Sequence, residues 1–286
     1  MLPGRGRIRR SRRSYERSGL VGKAAVEEGW RGSLKEGVMS NPSPRFVEWK
    51  NDYCCLRFKT SQPAGEPLDL HRIERVREPI TRSKLTVRGK VPNAAHGSMQ
   101  HCESHNEVKA MILLTACAHA STLKMQPFEM SYRLNGKIRR YFPDVLLIWG
   151  CELWVIEVKE DQKAEDPTEK ARFDLIASLL ATHSIRFKLW KKSEICAEPR
   201  LSTARSLIRY QKCRVSAFEK ERIRNKFSKT PVIALGELDD NTIRSVLHLV
   251  IQGQFFIDWS TDLNRKSWVS ISPIGQQSWP AACALA

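Results

Sequence analysis

A hairpin pattern between residues 144 and 159 constrains the fold of this chain more than any other sequence feature. Two apolar runs, Val145–Trp149 and Leu153–Val158, are separated by Gly150-Cys151, which can form a two-residue turn. Such a turn pairs Trp149 with Glu152 and fixes the register of the two strands. A slip of one residue would turn the apolar side chains to the wrong face, so we expect this register to be unique.

The same register brings three ionisable side chains to one end of the hairpin. Counting back from the turn places Asp144 opposite Glu157, and Lys159 shares their face while Val158 points away. Two carboxylates held face to face repel each other unless a cation lies between them. Oxygen ligands of this kind suit Mg²⁺ or Mn²⁺, and such an ion can polarise a phosphodiester and activate water.

Two of these assignments have structural alternatives. A short Pro-Asp string followed by Glu-x-Lys also occurs by chance, and it would then mark a surface hairpin with an ordinary Glu–Lys pair. Glu107 is a further candidate carboxylate, but Ser104 and Glu107 form the S-x-x-E pattern of a helix capping box. Capping alone explains Glu107 from the residues, and Glu103 competes with it as the carboxylate of the site.

The charge of the chain favours a polyanionic partner. It carries 48 Lys and Arg against 31 Asp and Glu, a net charge of +17. Nucleic acid is the commonest partner of such a surface, and an anionic membrane is the second possibility. Arg139 and Arg140 lie just before Asp144, so we interpret them as phosphate contacts, the alternative being an exposed strand face.

Composition also bears on compartment and targeting. No apolar run approaches the ~20 residues of a transmembrane helix, and the Arg-rich start lacks the apolar stretch of a signal peptide. The eight cysteines are scattered without zinc-ligand spacing. They predict reduced thiols in a cytoplasmic protein that has no membrane partner.

Three segments are predicted. Residues 1–40 resemble a basic disordered tail, which is either a DNA-binding arm or an upstream extension of a chain that starts at Met39. Residues 41–198 carry helix, three-strand meander, helix and strand signals, which predict an α/β fold with a central mixed sheet. Residues 199–286 predict a helical domain ending in a small hairpin, similar to a winged helix.

Three runs of this sequence resemble one known family. They are ESHNE at Glu103–Glu107, QPFEMSYRLNGKIRRYFPDVLL at Gln126–Leu147, and WVIEVKE at Trp154–Glu160. Together they are similar to the TnsA family, the endonuclease subunits of heteromeric transposases, which have the PD-(D/E)xK restriction-endonuclease-like fold. The resemblance is strongest over residues 70–195. It is looser over 199–286, where the family carries a helical, winged-helix-like domain.

The resemblance implies a site and a set of partners. It assigns catalysis to Glu107, Asp144, Glu157 and Lys159, with Mg²⁺ (or Mn²⁺) held by the three carboxylates and the Val158 carbonyl. It implies cleavage at the 5′ ends of a transposon in double-stranded DNA. The expected partners are an RNase H-like, TnsB-like transposase and an AAA+, TnsC-like ATPase. It also implies a bacterial cytoplasmic, nucleoid-associated location.

Two other functions remain open on the residues. A stand-alone restriction or repair nuclease of the same fold would cut DNA without a partner. A non-enzymatic DNA-binding scaffold would keep the fold without the chemistry, although intact acidic and basic residues at all four positions argue against a decayed site.

Overall fold

The computed structural model describes residues 44–77, 89–93, 98–117 and 122–273. The chain divides into two units, residues 1–40 and residues 41–286, and every described residue belongs to the second. The predicted basic tail therefore lies outside the described residues. The predicted boundary between residues 198 and 199 stays a prediction.

The described residues form a mixed α/β structure, as the sequence predicts. The strands are Arg45–Lys50 (β1), Cys54–Thr60 (β2), Ile73–Glu74 (β3), Gly89–Asn93 (β4), Ser98–Cys102 (β5), Thr122–Met125 (β6), Phe128–Leu134 (β7), Lys137–Tyr141 (β8), Val145–Trp149 (β9), Glu152–Lys159 (β10), Ile185–Lys191 (β11), Val232–Ala234 (β12), Phe256–Ile257 (β13) and Trp268–Ser270 (β14). The helices are His105–Cys117 (α1), Asp161–Glu165 (α2), Pro167–Ala181 (α3), Lys192–Ile195 (α4), Arg200–Leu207 (α5), Ala217–Lys229 (α6) and Asp240–Ile251 (α7).

Two sheets carry most of the strands. One is mixed, in the order β11-β10-β9-β6, because β10 pairs with β11 in parallel and with β9 antiparallel. The other is antiparallel, in the order β1-β2-β7-β8, with β3 beside β2. Strands β12, β14 and β13 form a small antiparallel sheet, and β4 pairs with β5.

The hairpin predicted at Gly150-Cys151 forms, and so does a second one that Asn135-Gly136, a typical two-residue turn sequence, predicts. Glu152 pairs with Trp149 and Ile156 with Val145, which is the register that the Gly150-Cys151 turn predicts. In the other hairpin, Asn135 and Gly136 have φ of 51° and 72°, the left-handed backbone that a tight hairpin turn requires. The strand register around residues 144–159 is therefore confirmed.

The predicted three-strand meander is wrong in one respect, because its strands divide between two sheets. Strand β8 pairs with β7 in the antiparallel sheet, whereas β9 pairs with β10 and β6 in the mixed sheet. The chain crosses from one sheet to the other at residues 142–144. Pro143 interrupts the strand there, since proline has no N–H to donate to a ladder.

Other segments also differ from prediction. The polar residues Glu160–Pro167 predict a loop, but this segment contains α2. The helical pattern over residues 199–229 predicts one helix, but the segment forms two, α5 and α6. Residues 45–60, in a stretch predicted as weakly patterned, form β1 and β2. The apolar side chains of this stretch predict packing on the core for Tyr53, Leu56 and Phe58; Leu56 and Phe58 are buried, whereas Tyr53 is exposed.

The mixed sheet separates two apolar clusters. Val145, Leu147 and Ile156 pack in the cluster that contains α1, while Leu146 and Val155 pack with α3. This alternation follows from the two-residue period of strands β9 and β10. Asp144, Glu157 and Lys159 therefore belong to the face that α3 covers.

Six cysteines in the described ranges are free thiols, as predicted. Within the same ranges, no helix has both the length and the apolar character needed to span a bilayer.

Gly89 lets β4 approach α1 closely. A Cβ at this position would lie 2.1 Å from Cγ2 of Val108, a β-branched side chain with little freedom to move. We expect Gly89→Ala to destabilise the fold by about 1–3 kcal/mol through overpacking. Adding Val108→Ala should recover most of that loss, which denaturant unfolding of the two variants would measure. Equal midpoints for Gly89→Ala and the parent would contradict this packing.

Candidate active site

The end of the β9–β10 hairpin brings Asp144 and Glu157 together. Asp144 precedes β9, and its Oδ2 accepts a hydrogen bond from the backbone N–H of Val158 at 2.8 Å. This bond continues the strand pairing one step beyond Ile156 and Val145. The carboxylate of Asp144 is thus held by the strand that carries Glu157.

Glu157 is the most enclosed carboxylate of the group, with 3% of its surface exposed. Its Oε2 accepts a hydrogen bond of 2.7 Å from the buried hydroxyl of Tyr141. Its Oε1 accepts one of 2.5 Å from Nζ of Lys159. Both oxygens therefore have a donor, and the ammonium group supplies the compensating charge.

Lys159 is held in its charged form by its neighbours. Burial alone would lower its pKa, but the carboxylates of Glu157 and Asp144 outweigh burial and raise the pKa above the usual value. The ammonium group also lies 5.7 Å from the ring centroid of Phe173 on α3. The lysine is therefore positioned by the sheet on one side and by α3 on the other.

The ionised form of Asp144 is disfavoured by its surroundings. Burial, followed by the charges of Glu157 and Glu107, raises its pKa well above the usual range. The opposing effects of Lys159 and of the Val158 N–H are smaller. A buried carboxyl group whose ionisation is opposed by two neighbouring carboxylates is a common sign of a functional site.

Glu107 caps α1, and its charge is one of those that raise the pKa of Asp144. Its backbone N–H donates to Oγ of Ser104 at 3.2 Å, and its Oε2 accepts from the backbone N–H of Glu103 at 2.8 Å. The predicted capping box is therefore present with one difference: the Glu107 carboxylate accepts from the N–H of Glu103 and not from that of Ser104. Burial raises the pKa of Glu107, and hydrogen bonds to its carboxylate from the Glu103 N–H and from the Ser104 side chain oppose that shift.

The competing carboxylate, Glu103, has a separate partner. Its Oε1 lies 3.0 Å from Nη2 of Arg75, and Nη1 of the same arginine donates to the carbonyl of His101 at 2.8 Å. Arg75 further donates to Oε1 of Gln126 at 3.1 Å. Glu103 therefore belongs to a supporting ion pair beside the first turn of α1.

Gln126 links this ion pair to Asp144. It has φ of 45°, an uncommon value for a residue other than glycine, and its N–H donates to the carbonyl of Asp144 at 3.0 Å. Sequence reasoning assigned Gln126 a structural role but did not find its contact. It missed Arg75 and the bond from Tyr141 to Glu157, since it grouped Tyr141 with Arg139 and Arg140 as phosphate contacts, whereas Tyr141 is buried against Glu157.

The two predicted DNA contacts are exposed. Arg140 pairs with Glu129 at 3.1 Å across the β7–β8 hairpin and keeps 71% of its side chain in solvent. Arg139 lines a cleft between this hairpin and α3, together with Arg172. Val158, the predicted source of a carbonyl ligand, donates its N–H to Asp144 and buries its side chain on the α1 side.

The carboxylates of Glu107, Asp144 and Glu157 are side chains of the type that binds a hard divalent cation. Mg²⁺ prefers oxygen ligands, carboxylates among them. Among the described residues, however, no group of three or more His, Cys, Asp or Glu side chains is arranged to hold a metal ion. The nearest cation to Glu157 is instead the ammonium group of Lys159.

Comparison with known proteins adds no further assignment. No protein-family model matches the sequence, and no curated protein does so.

Proposed function

We propose that this chain is a Mg²⁺-dependent DNA endonuclease, the TnsA-like subunit of a heteromeric transposase that cuts the 5′ ends of a transposon. The observation that carries the proposal is the meeting of Asp144, Glu157 and Lys159 at one end of the β9–β10 hairpin. The net charge of +17 supports a polyanionic substrate. The more specific role in a transposase rests on the sequence resemblance alone.

The proposed mechanism is hydrolysis of a phosphodiester. Asp144, Glu157 and Glu107, with the Val158 carbonyl, would hold Mg²⁺. When bound, this ion supplies charge stabilisation at the phosphate and lowers the pKa of water. Lys159 donates hydrogen bonds to the attacking water or to a phosphate oxygen. A water oxygen bonds to phosphorus, the P–O3′ bond breaks, and the 3′ oxygen takes a proton, which leaves a 3′-hydroxyl and a 5′-phosphate.

Tyr141 and Gln126 are positioning residues in this scheme. The Tyr141 hydroxyl fixes one oxygen of Glu157, so the other oxygen faces Lys159. Gln126 holds the backbone of Asp144 from the opposite side. Both contacts come from outside the β9–β10 hairpin, so the surrounding structure fixes the orientation of Glu157 and the backbone position of Asp144.

A nicking assay tests the proposal. The substrate is supercoiled plasmid carrying the transposon end, with Mg²⁺ or Mn²⁺, and with or without an RNase H-like, TnsB-like transposase as the proposed partner. We expect metal-dependent nicking that requires the partner and is lost in Asp144→Ala and Lys159→Ala. If these variants cleave as fast as the parent, the proposed site is wrong. Strong cutting without the partner would instead favour a stand-alone nuclease.

One observation favours a non-enzymatic DNA-binding scaffold as the second candidate. The Lys159 ammonium group already satisfies Glu157, and the described carboxylates are not arranged around an ion. Titration calorimetry with Mn²⁺ separates the two functions. Binding that disappears in Asp144→Ala supports the nuclease, and no binding to the parent supports the scaffold.

A further inference from the structure

A cleft opens between the β7–β8 hairpin and α3, beside the candidate active site. It has a volume of about 540 Å³ and is lined by both arginine and apolar side chains. Tyr132, Leu134 and Leu175 provide the apolar lining. Cavities that hold single small ligands commonly have volumes of roughly 300–1,000 Å³.

Three guanidinium groups line the cleft together with these apolar residues. Arg139 lies on the same face of β8 as Tyr141, opposite Tyr132 on β7. Arg140 follows it on the hairpin, and Arg172 comes from α3. Guanidinium groups stay charged at all ordinary pH values and match phosphate oxygens in a bidentate geometry.

The cleft adjoins the candidate active site through Phe173. The guanidinium carbon of Arg172 lies 5.1 Å from the Phe173 ring centroid, and Nζ of Lys159 lies 5.7 Å from the same centroid. Arg172 is also close enough to Lys159 and Tyr141 to influence both electrostatically. A strand that placed a phosphate at Lys159 would therefore bring its neighbouring nucleotide to Arg172.

We infer that this cleft binds one unpaired nucleotide of the cleaved strand, next to the phosphate that Lys159 contacts. The phosphate of that nucleotide pairs with Arg139 and Arg172, and its sugar and base lie against Tyr132, Leu134 and Leu175. The cleft volume lies within the range of cavities that hold one small ligand, and the base enters the cleft by leaving the duplex. The location beside the cut phosphate rests on the proposed function, whereas binding of an unpaired nucleotide does not.

Fluorescence anisotropy tests the inference in EDTA, where metal-dependent cleavage does not occur. The two probes are a fluorescein-labelled forked duplex with unpaired arms and a blunt duplex with the same number of base pairs. The parent should bind the fork at least about fivefold more tightly, since a stacked or packed base contributes this much or more. Arg139→Gln and Arg172→Gln should each weaken fork binding by about tenfold and leave blunt-duplex binding nearly unchanged.

Arg222 provides a matched control. Arg172 bonds to both carboxylate oxygens of Glu169, three residues before it, and Arg222 does the same with Glu219 on α6. Arg222→Gln removes the same charge and the same type of helical ion pair away from the cleft. It should keep the preference for the fork.

Three results would overturn the inference: equal binding of fork and blunt duplex by the parent, an unchanged preference in both cleft variants, or an equal loss in Arg222→Gln. Arg139 is exposed, so Arg139→Gln remains informative if Arg172→Gln does not fold. A parent that prefers the fork but never nicks DNA in Mg²⁺ with the partner transposase present supports the cleft inference and contradicts the proposed nuclease. A parent that nicks DNA without preferring the fork supports the proposed nuclease and contradicts the cleft inference.

Discussion

Asp144→Asn is expected to lower DNA cleavage by on the order of a thousandfold, because an amide is a poor ligand for Mg²⁺ and metal stabilisation amounts to several kcal/mol. The same variant should melt at a higher temperature than the parent in EDTA. Asparagine keeps an oxygen that can accept from the Val158 N–H. It also removes a buried carboxylate whose charged form is opposed by burial and by the charges of Glu157 and Glu107. Opposite changes in activity and stability are typical of residues kept for function.

Differential scanning fluorimetry with and without Mg²⁺ checks the stability half of this prediction. Mg²⁺ should raise the melting temperature of the parent more than that of Asp144→Asn, since a ligand that binds only the folded state stabilises it. Asp174→Asn is the matched control, because Asp174 is exposed on α3. It should change neither cleavage nor melting. A lower melting temperature for Asp144→Asn would show that its charge stabilises the fold.

Glu107→Gln is expected to separate the two roles of Glu107. Glutamine keeps an oxygen that can accept from the Glu103 N–H, so stability should stay within about 0.5 kcal/mol of the parent. Cleavage should fall by about 10- to 100-fold, since the variant removes a charged ligand. Glu107→Ala loses the capping bond as well and should cost about 1 kcal/mol of stability.

A second S-x-x-E sequence in the chain supplies the control. Ser216 accepts from the N–H of Glu219 at 3.1 Å at the start of α6, as Ser104 does for Glu107. Glu219→Gln should leave cleavage unchanged. Equal cleavage by Glu107→Gln and the parent would reduce Glu107 to a helix cap, and the active site would then consist of residues from one hairpin.

The sequence predicted the hairpin from local information. Apolar runs on either side of Gly150-Cys151 specify both the turn and the register, so the approach of Asp144 to Glu157 followed from counting. The capping role of Glu107 was equally local, since Ser104 lies three residues before it. These features depend on neighbours in the chain, and no tertiary contact was needed to find them.

The supporting contacts could not be found in this way. Tyr141 reaches Glu157 because β8 and β9 belong to different sheets, and the strand pattern alone suggested one continuous meander. Arg75 lies 28 positions before its partner Glu103, in a segment with weak periodicity. Long-range pairs of this kind are set by the packing of the sheets.

The order of residues along the chain has a consequence for folding. Asp144, Glu157 and Lys159 lie on one short hairpin, and Glu107 precedes it, so every candidate catalytic residue has been synthesised once residue 159 is complete. Strand β11, the parallel neighbour of β10, comes more than 20 residues later. Until it arrives, the β10 edge lacks its pairing partner and is open to association with other chains. Growth of the nascent chain through α3 therefore sets how long that edge stays unprotected.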